Sequence, residues 1–153
     1  MISLEIDFSR RNMGIWVHIW DRNKEIFYEV DALFDTGAHT SAIDKNLFLN
    51  LGYDLDGATK SAISTATRNR EIVDRVKIDK ILLDEEQINF VLFNTYEFPL
   101  ISHPVIIGMN IIRHFEVNMN FKTKLITMSE NYIDSNDNYG TDIFGDWRAD
   151  IKN

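Results

Sequence analysis

The sequence predicts a mainly β fold, a sandwich or a closed barrel, with at most two short helices. Apolar and polar residues alternate over many short stretches, which is the pattern of strands buried on one face. Turn-forming residues separate these stretches at close spacing, as in all-β domains. Apolar residues recur at helical spacing in two short segments, near residues 45–51 and 110–115. Strands are therefore expected to dominate the fold.

Three strands are predicted near the start of the chain. Residues 2–8 and 15–20 alternate between apolar and polar side chains, and residues 26–34 form a longer run. The polar stretch 21–24 lies between the second and third strands. These two strands are therefore expected to form a hairpin.

Two short helices are predicted from capping residues. Asp44 can cap the N-terminus of the first helix, and Gly52 can end it after the apolar residues of 47–51. Asn110 can cap the second helix, which follows a glycine.

The rest of the domain is predicted to be strands, followed by a different kind of segment. The polar, threonine-rich stretch 58–71 is expected to form a hairpin with its tip near Arg68 and Asn69. The other predicted strands are 72–83, 88–93, 105–107, 117–121 and 125–128. From Ser129 the chain becomes rich in Asp, Asn, Gly and Ser, so we expect a domain at 1–128 and an acidic, irregular tail at 129–153.

Composition limits the functions that the chain can have. It has 153 residues, no cysteine and a net charge of −8. The absence of cysteine excludes disulfides, thiolate metal sites and cysteine nucleophiles. The negative charge argues against nucleic-acid binding and favours neutral or basic peptides as ligands. No apolar run has the length of a signal peptide or a membrane span, so a soluble, cytoplasmic protein without a membrane partner is expected.

Most of the common catalytic and cofactor-binding motifs are absent from the sequence. No phosphate loop, metal-ligand cluster or Ser/His/Asp order is present, so no metal or other cofactor is expected. The histidines share no spacing and are interpreted as surface or packing residues: His18, His39, His103 and His114.

The stretch 32–41 carries the candidate chemistry, because an apolar run ends there in Asp35, Thr36 and Gly37. The apolar run predicts a buried strand, so the Asp35 carboxylate lies where that strand leaves the core. Gly37 permits a turn with positive φ, and the neighbouring hydroxyls can fix the carboxylate by hydrogen bonds. Asp35 is the candidate catalytic residue, and an aspartate that only shapes a turn is the alternative.

The stretch 33–38 resembles the active-site motif of the retropepsin-like aspartic proteases. Three further features agree with that family. The motif follows an apolar strand, a second sequence at Ile106, Ile107 and Gly108 opens a short helix, and a threonine-rich hairpin lies between the two motifs. The family has its flap at the place of that hairpin. The resemblance covers residues 15–128 and leaves the tail outside.

The resemblance implies a single-lobe acid-protease fold, which is a closed β-barrel with one or two short helices. It also implies an aspartic endopeptidase that acts on polypeptides as a homodimer, because the chain has one Asp-Thr-Gly sequence and each subunit would supply one Asp35. Thr36 and Gly37 complete the implied catalytic motif. The substrate-binding residues implied by the resemblance are Ala38, His39, Thr65, Ala66, Thr67, Arg68, Ile107 and Gly108.

The implied chemistry requires two carboxylates. Two aspartates about 3 Å apart cannot both ionise, so they share one proton. The charged member takes a proton from water, and the protonated member gives one to the carbonyl. Ala38 lacks the hydroxyl that pepsins place beside the outer carboxylate oxygens, so an activity optimum less acidic than that of pepsin is expected.

The sequence departs from the family pattern at two places. His39 and Met109 stand where retroviral members carry an acid and an arginine that form an ion pair. Arg68 and Asn69 stand at the expected hairpin tip, where those members are rich in glycine. A dimeric peptide-binding module that has lost proteolysis is therefore the alternative function, and a monomeric β domain of unrelated function is the third.

Overall fold

The computed structural model describes residues 1–9, 12–65, 68–99 and 103–130. The strands and helices in this range confirm the predicted mainly β fold. They are β1 (Ile2–Glu5), β2 (Gly14–Asp21), β3 (Ile26–Phe34), β4 (Ala42–Asp44), α1 (Lys45–Asn50), β5 (Thr59–Thr65), β6 (Arg68–Leu83), β7 (Glu86–Tyr96), β8 (Val105–Ile107), α2 (Met109–Ile112), β9 (Phe115–Asn120) and β10 (Leu125–Glu130). The predicted substrate-binding residues Ala66 and Thr67, and the tail from residue 131, lie outside the described residues.

Six strands close into a barrel in the order β2-β3-β8-β4-β7-β6. The ring is completed where β2 pairs with β6 through His18↔Leu82 and Ile19↔Ile81. β5 pairs with β6 and therefore extends the sheet outside the ring. Closure gives each barrel strand two hydrogen-bonded neighbours, and this arrangement is the barrel of the sequence prediction rather than the sandwich.

The barrel core follows from the alternation along its strands. In β2, Ile15, Val17 and Ile19 are fully buried, whereas the side chains between them face outward and are more exposed. Side chains on a strand alternate between its two faces, so this pattern directs one face of β2 inward. The strand limits predicted for β2, β3 and β8 agree with the structure to within one residue.

A second sheet contributes to the same core. β1, β10 and β9 form an antiparallel sheet in which Ile2 is paired with Met128 and Leu4 with Ile126. These four side chains are buried and belong to the cluster that contains the barrel residues. The two sheets therefore share one hydrophobic core.

The first helix is capped as predicted, and the second is not. The Asp44 carboxylate accepts a hydrogen bond from the Leu47 amide at the start of α1, and Gly52 follows its end with φ of 89°. At α2 the N-cap residue is Gly108, which has no side chain to bond, and Asn110 lies inside the helix. The predicted Asn110 cap is wrong because its side chain bonds to other parts of the chain.

The hairpin of β5 and β6 has its tip earlier than predicted. Arg68 begins β6 and pairs with Thr65, so the two strands are already paired at the residue where the tip was predicted. The pairing of β5 and β6 extends further along the polar stretch 58–71 than predicted, because polar and threonine-rich sequences are compatible with a strand. β4 was not predicted, and its three residues are ordered by pairing with both β7 and β8.

Candidate active site

Asp35 stands where β3 leaves the barrel. β3 runs parallel to β8, and the Asp35 amide donates to the Ile107 carbonyl at 3.0 Å, which extends this ladder one residue beyond β3. The Ala38 amide donates to the Asp35 carbonyl at 3.2 Å and closes a turn. Asp35 therefore lies directly after the end of a buried strand, and the residue is partly exposed.

Gly37 lies close to the Asp35 carboxylate and does not use a positive φ. Its amide donates to Asp35 Oδ1 at 2.8 Å. A Cβ atom at this position would lie 3.1 Å from the same oxygen. The positive φ expected from the sequence is wrong, because φ lies between +20° and +160° at Gly52 and Gly57 and not at Gly37. A larger residue here would therefore require the Asp35 carboxylate to shift by a few tenths of an ångström.

The second glycine motif lies directly against the Asp35 loop, which we define as residues 35–41. A Cβ atom at Gly108 would lie 2.8 Å from the Ala38 carbonyl oxygen and 3.0 Å from the Ser41 nitrogen. The Met109 amide donates to the Ala38 carbonyl at 2.8 Å, and the Asn110 amide donates to the His39 carbonyl at 3.1 Å. The two motifs are thus joined by backbone contacts that leave no room for a side chain at residue 108.

Ser41 and Asn110 form a buried polar pair beneath this crossing. Asn110 Oδ1 accepts hydrogen bonds from the Ser41 amide at 2.8 Å and from Ser41 Oγ at 2.7 Å. Ser41 Oγ accepts from the Gly108 amide at 2.9 Å, and Asn110 Nδ2 donates to the Leu92 carbonyl at 3.0 Å. The pair connects the Asp35 loop, α2 and β7, and buried polar groups satisfied in this way rigidify a structure.

A cavity of about 350 Å³, which we call the cleft, opens between the Asp35 loop and the β5–β6 hairpin. The loop side includes residues 37–40 and Ile106, the hairpin side includes 61–63, and the wall includes Arg75, Asn94 and Tyr96. Of the predicted site residues, Gly37, Ala38 and His39 line the cleft. Ile107 points into the core, where it is 1% exposed, and its neighbour Ile106 faces the cleft instead.

The remaining predicted site residues lie elsewhere. Thr36 is exposed beside Asp35, and Gly108 lies behind the Asp35 loop. Thr65 and Arg68 pair through their backbones at the far end of the hairpin. Among the described residues, no group of three His, Cys, Asp or Glu side chains could hold a metal ion.

Burial alters the chemistry of one phenol in the cleft wall. The pKa of Tyr96 is raised, first because the ring is buried and then because of the negative charge of Glu71. The phenol therefore keeps its proton to a higher pH than an exposed tyrosine does. Sequence reasoning did not find Tyr96, Arg75 or Asn94, because their shared wall depends on strand register.

A second cavity of about 410 Å³, which we call the base cavity, lies toward α1. Its lining includes Arg22, Tyr53, Thr59, Arg75 and Lys77, so Arg75 contributes to both cavities. Burial raises the pKa of Tyr53 to about 12. The Tyr53 hydroxyl donates to the Trp20 carbonyl at 2.8 Å, and the Arg22 guanidinium lies 4.3 Å from the centre of its ring.

His103 is the most buried of the histidines that the structure describes. It is 4% exposed, its Nδ1 lies 2.7 Å from Asp31 Oδ1, and its Nε2 lies 2.8 Å from Asn12 Oδ1. Its surroundings therefore combine close packing with polar contacts to β3 and to the segment before β2.

These features together define a class. The Asp-Thr-Gly loop crosses a glycine turn that lies between a strand and a short helix. The closed six-stranded barrel with two short helices is the fold of the retropepsin-like aspartic proteases. The family model described as "gag-polyprotein putative aspartyl protease" matches residues 28–114, and the chain belongs to this family. The predicted family and fold class are thereby confirmed. Among curated proteins, none matches the chain at a significant level.

Two solved structures have the same fold. The crystal structure of a retropepsin-like aspartic protease from Rickettsia conorii superposes with a TM-score of 0.56 at 13% identity, covering 83% of this chain and 88% of that chain. The retroviral protease-like domain of Ddi1 from Leishmania major superposes with a TM-score of 0.54 at 18% identity, covering 81% and 95%. In the described part of the chain, no helix is long and apolar enough to span a membrane.

Proposed function

We propose that the protein is an aspartic endopeptidase that is active as a homodimer. Two copies of Asp35, one from each subunit, form the catalytic pair, with Thr36 and Gly37 completing the motif. The observation that carries the proposal is the position of the Asp35 carboxylate. It is held by the Gly37 amide at the end of a buried strand, and the cleft begins two residues further along the loop.

The exposed side of the Asp35 loop supports a shared site. Thr36 and Gly37 are exposed in the single subunit, although the strand before them is buried. A second subunit related by a two-fold axis would bring the same residues against them, as in the isologous dimers that are commonest among soluble oligomers. The two carboxylates would then share one proton, since like charges at about 3 Å cannot both ionise.

The reaction follows from this shared proton. The ionised aspartate accepts a proton from a water molecule, which attacks the peptide carbonyl carbon. The protonated aspartate donates a proton to the carbonyl oxygen, which gives a tetrahedral diol. The aspartate that took the proton from water then passes it to the peptide nitrogen, and the C–N bond breaks to release the amine and a carboxylic acid. This sequence needs neither a metal nor a covalent intermediate. In this proposal the β5–β6 hairpin acts as the flap over the substrate, and Ala38, His39, Thr65, Ala66, Thr67 and Arg68 are the proposed contacts on either side.

The first experiment compares the wild-type protein with Asp35→Asn on a denatured protein substrate. The substitution keeps the shape of the side chain and removes its ability to exchange a proton, so cleavage is expected to fall by at least about a thousandfold. Equal cleavage by both proteins would contradict the proposal.

Mixing the two proteins tests whether the site is shared. If each site needs one Asp35 from each subunit and subunits exchange freely, half of the wild-type subunits pair with an inactive partner in an equal mixture. Activity per wild-type subunit should then fall to about half, whereas independent monomers would lose none. Sedimentation at the same concentrations supplies the mass of the active species.

A dimeric peptide-binding module without hydrolysis remains the second candidate. The exposed His39 in the cleft lining, at a place where retroviral members carry an acid, favours it. Binding of peptides without cleavage by the wild-type protein, at the same affinity as Asp35→Asn, would support this candidate instead.

A further inference from the structure

Three polar side chains stand in register across the wall between the two cavities. Thr59 on β5 pairs with Arg75 on β6, and Arg75 pairs with Asn94 on β7. Thr59 and Arg75 line the base cavity, whereas Arg75 and Asn94 line the cleft. We call these three residues the polar row. It crosses the sheet from one cavity to the other.

Arg75 gives the cleft a positive charge within an acidic protein. Among the described residues that line the cleft, Arg75 is permanently charged and none is an Asp or Glu. Arg75 Nη2 donates to Ser61 Oγ at 2.8 Å, so the guanidinium is oriented along the cleft side of the hairpin. The lining therefore contributes a positive charge inside a protein of net charge −8, next to two carboxylates outside the lining: Asp35, which accepts from the Gly37 amide, and Glu71, whose charge acts on Tyr96.

The polar row also contains buried atoms that lack partners within the described part of the chain. Asn94 is 4% exposed, and its Oδ1 atom has no hydrogen-bond partner among the described residues. The buried Oγ1 atom of Thr59 also has no partner among them. Buried polar atoms are almost always bonded, so such atoms call for a ligand or an ordered water. Asn94 Oδ1 is an acceptor, and a peptide N–H is the matching donor.

We propose that the polar row selects the substrate, and that the cleft prefers peptides with Asp or Glu near the cleaved bond. The acidic side chain pairs with the Arg75 guanidinium, and a peptide N–H of the same ligand bonds to Asn94. Hydrogen bonds between guanidinium and carboxylate are among the strongest in proteins, particularly where water is partly excluded. The inference rests on the proposed function, because it takes the cleft to be the substrate site.

This selectivity differs from the expectation based on net charge. The net charge acts at long range and is screened beyond about 8 Å at physiological ionic strength. A carboxylate inside the cleft instead meets Arg75 at contact distance. Short-range pairing should therefore decide selectivity, and the acidic surface should affect mainly the rate of encounter.

The test uses peptides cleaved at one bond, with Glu, Gln or Lys placed in turn at each position around that bond. For the wild-type protein, kcat/KM should be about tenfold higher for Glu than for Gln at one position, which is the size of one charged hydrogen bond. Arg75→Gln should bring this ratio close to one, and Arg75→Lys should restore part of it. Arg75→Glu should favour Lys at the same position.

Lys77→Gln is the matched control. It removes one positive charge from the same strand two residues away, at a side chain that lines the base cavity and not the cleft. It should leave the ratio of Glu to Gln unchanged. Circular dichroism and thermal unfolding of each variant would separate a lost preference from a lost fold. An equal ratio in wild type and Arg75→Gln, or no preference at any position, would overturn the inference.

A binding assay separates this inference from the proposed hydrolysis. Fluorescence anisotropy with labelled Glu, Gln and Lys peptides is measured on Asp35→Asn, with and without Arg75→Gln. Tighter binding of Glu peptides that depends on Arg75 would support the selectivity even if no peptide is cleaved. Binding without preference, or no binding at all, would overturn it whatever the catalytic result.

Discussion

The Asp35 loop and the base cavity are held in place by different kinds of contact. The Asp35 loop is fixed by backbone hydrogen bonds, by the buried pair of Ser41 and Asn110, and by Gly108, where a side chain would meet backbone atoms at 2.8–3.0 Å. Around the base cavity, side chains such as Arg22, Tyr53 and Arg75 make the contacts. The comparison indicates that the loop tolerates little change, whereas the base cavity can be altered residue by residue.

The largest effect is expected for Gly108→Ala. The new methyl group would overlap the backbone of residues 38–41, and backbone cannot move aside as a flexible side chain can. Overpacking of this kind costs about 3 kcal/mol or more, and activity should be lost with it. Urea denaturation and a cleavage assay measure the two effects.

Gly57→Ala is the matched control for this prediction. A Cβ atom there would meet nothing within 4 Å, although φ is +74°. The expected cost is about 1 kcal/mol, from the left-handed backbone alone. Equal destabilisation by both variants would show that crowding at Gly108 is unimportant.

Removal of the buried amide beneath the loop should have the next largest effect. Asn110→Ala leaves the Ser41 donors and the Leu92 carbonyl without their partner, at a residue that is 7% exposed. We expect a loss of about 2–3 kcal/mol in the free energy of unfolding. Since the pair positions the Asp35 loop, kcat should fall more than KM rises.

Asn118→Ala offers the comparison for Asn110. Asn118 is an exposed residue on β9, and its replacement should change stability by less than about 0.5 kcal/mol. If Asn110→Ala behaved like Asn118→Ala in kcat, the loop would not depend on the buried pair.

On the other side of the comparison, Tyr53 should give a stability difference that depends on pH. Its pKa is about 12 in the folded protein and near 10 when unfolded, so the folded state holds the proton more tightly. The contribution of this proton to the free energy of unfolding is fully present below pH 10 and is lost as the pH rises toward 12. Tyr53→Phe removes both the titration and the bond to Trp20.

The variant should therefore be less stable than wild type by about 1 kcal/mol at pH 8. The difference should shrink above pH 10 and reverse in sign before pH 12, as measured by urea denaturation at each pH. A difference that does not change over this range would mean that burial does not hold the phenol in its neutral form.

The smallest effect is expected at the ion pair of Arg22 and Asp79. Arg22 Nε and Nη2 each donate to the Asp79 carboxylate at 2.8 Å, and this contact lowers the pKa of Asp79. The stabilisation is present at neutral pH and is lost as pH falls below about 4. Both groups are partly exposed, so Asp79→Asn should cost at most about 1 kcal/mol at pH 7.

Thermal unfolding at pH 7 and pH 3 measures this difference. A cost that persists at pH 3 would mean that Asp79 acts through packing rather than through its charge. The ordering of these variants, from Gly108 to Asp79, is what the contrast between the Asp35 loop and the base cavity predicts.

Local patterns predicted the mainly β fold and the position of Asp35 at the end of a strand. The pattern alone allowed a sandwich or a barrel, and the resemblance to the family implied the barrel. Alternation along β2 defines its buried face, and the apolar run of β3 ends at the carboxylate. β4 could not be predicted, because its three residues are ordered by partners that lie far away in the sequence. Local pattern gives no signal for such a strand.

The same limit applies to the site. Asn110 was interpreted as a helix cap because asparagine commonly caps helices, whereas its actual partners, Ser41 and Leu92, are distant in sequence. The polar row depends on the register of β5, β6 and β7, which sequence alone does not determine. Motifs therefore located the candidate catalytic residue, and long-range pairing was needed to find its surroundings.

The placement of β5 outside the closed ring has an evolutionary consequence. The ring is completed by β2 and β6, so the hairpin can gain or lose residues at its tip without opening the barrel. Insertions, deletions or whole hairpins from related proteins could then be exchanged while the scaffold and its aspartate stay the same. Such an arrangement would let the hairpin vary in length and sequence while the barrel keeps its shape.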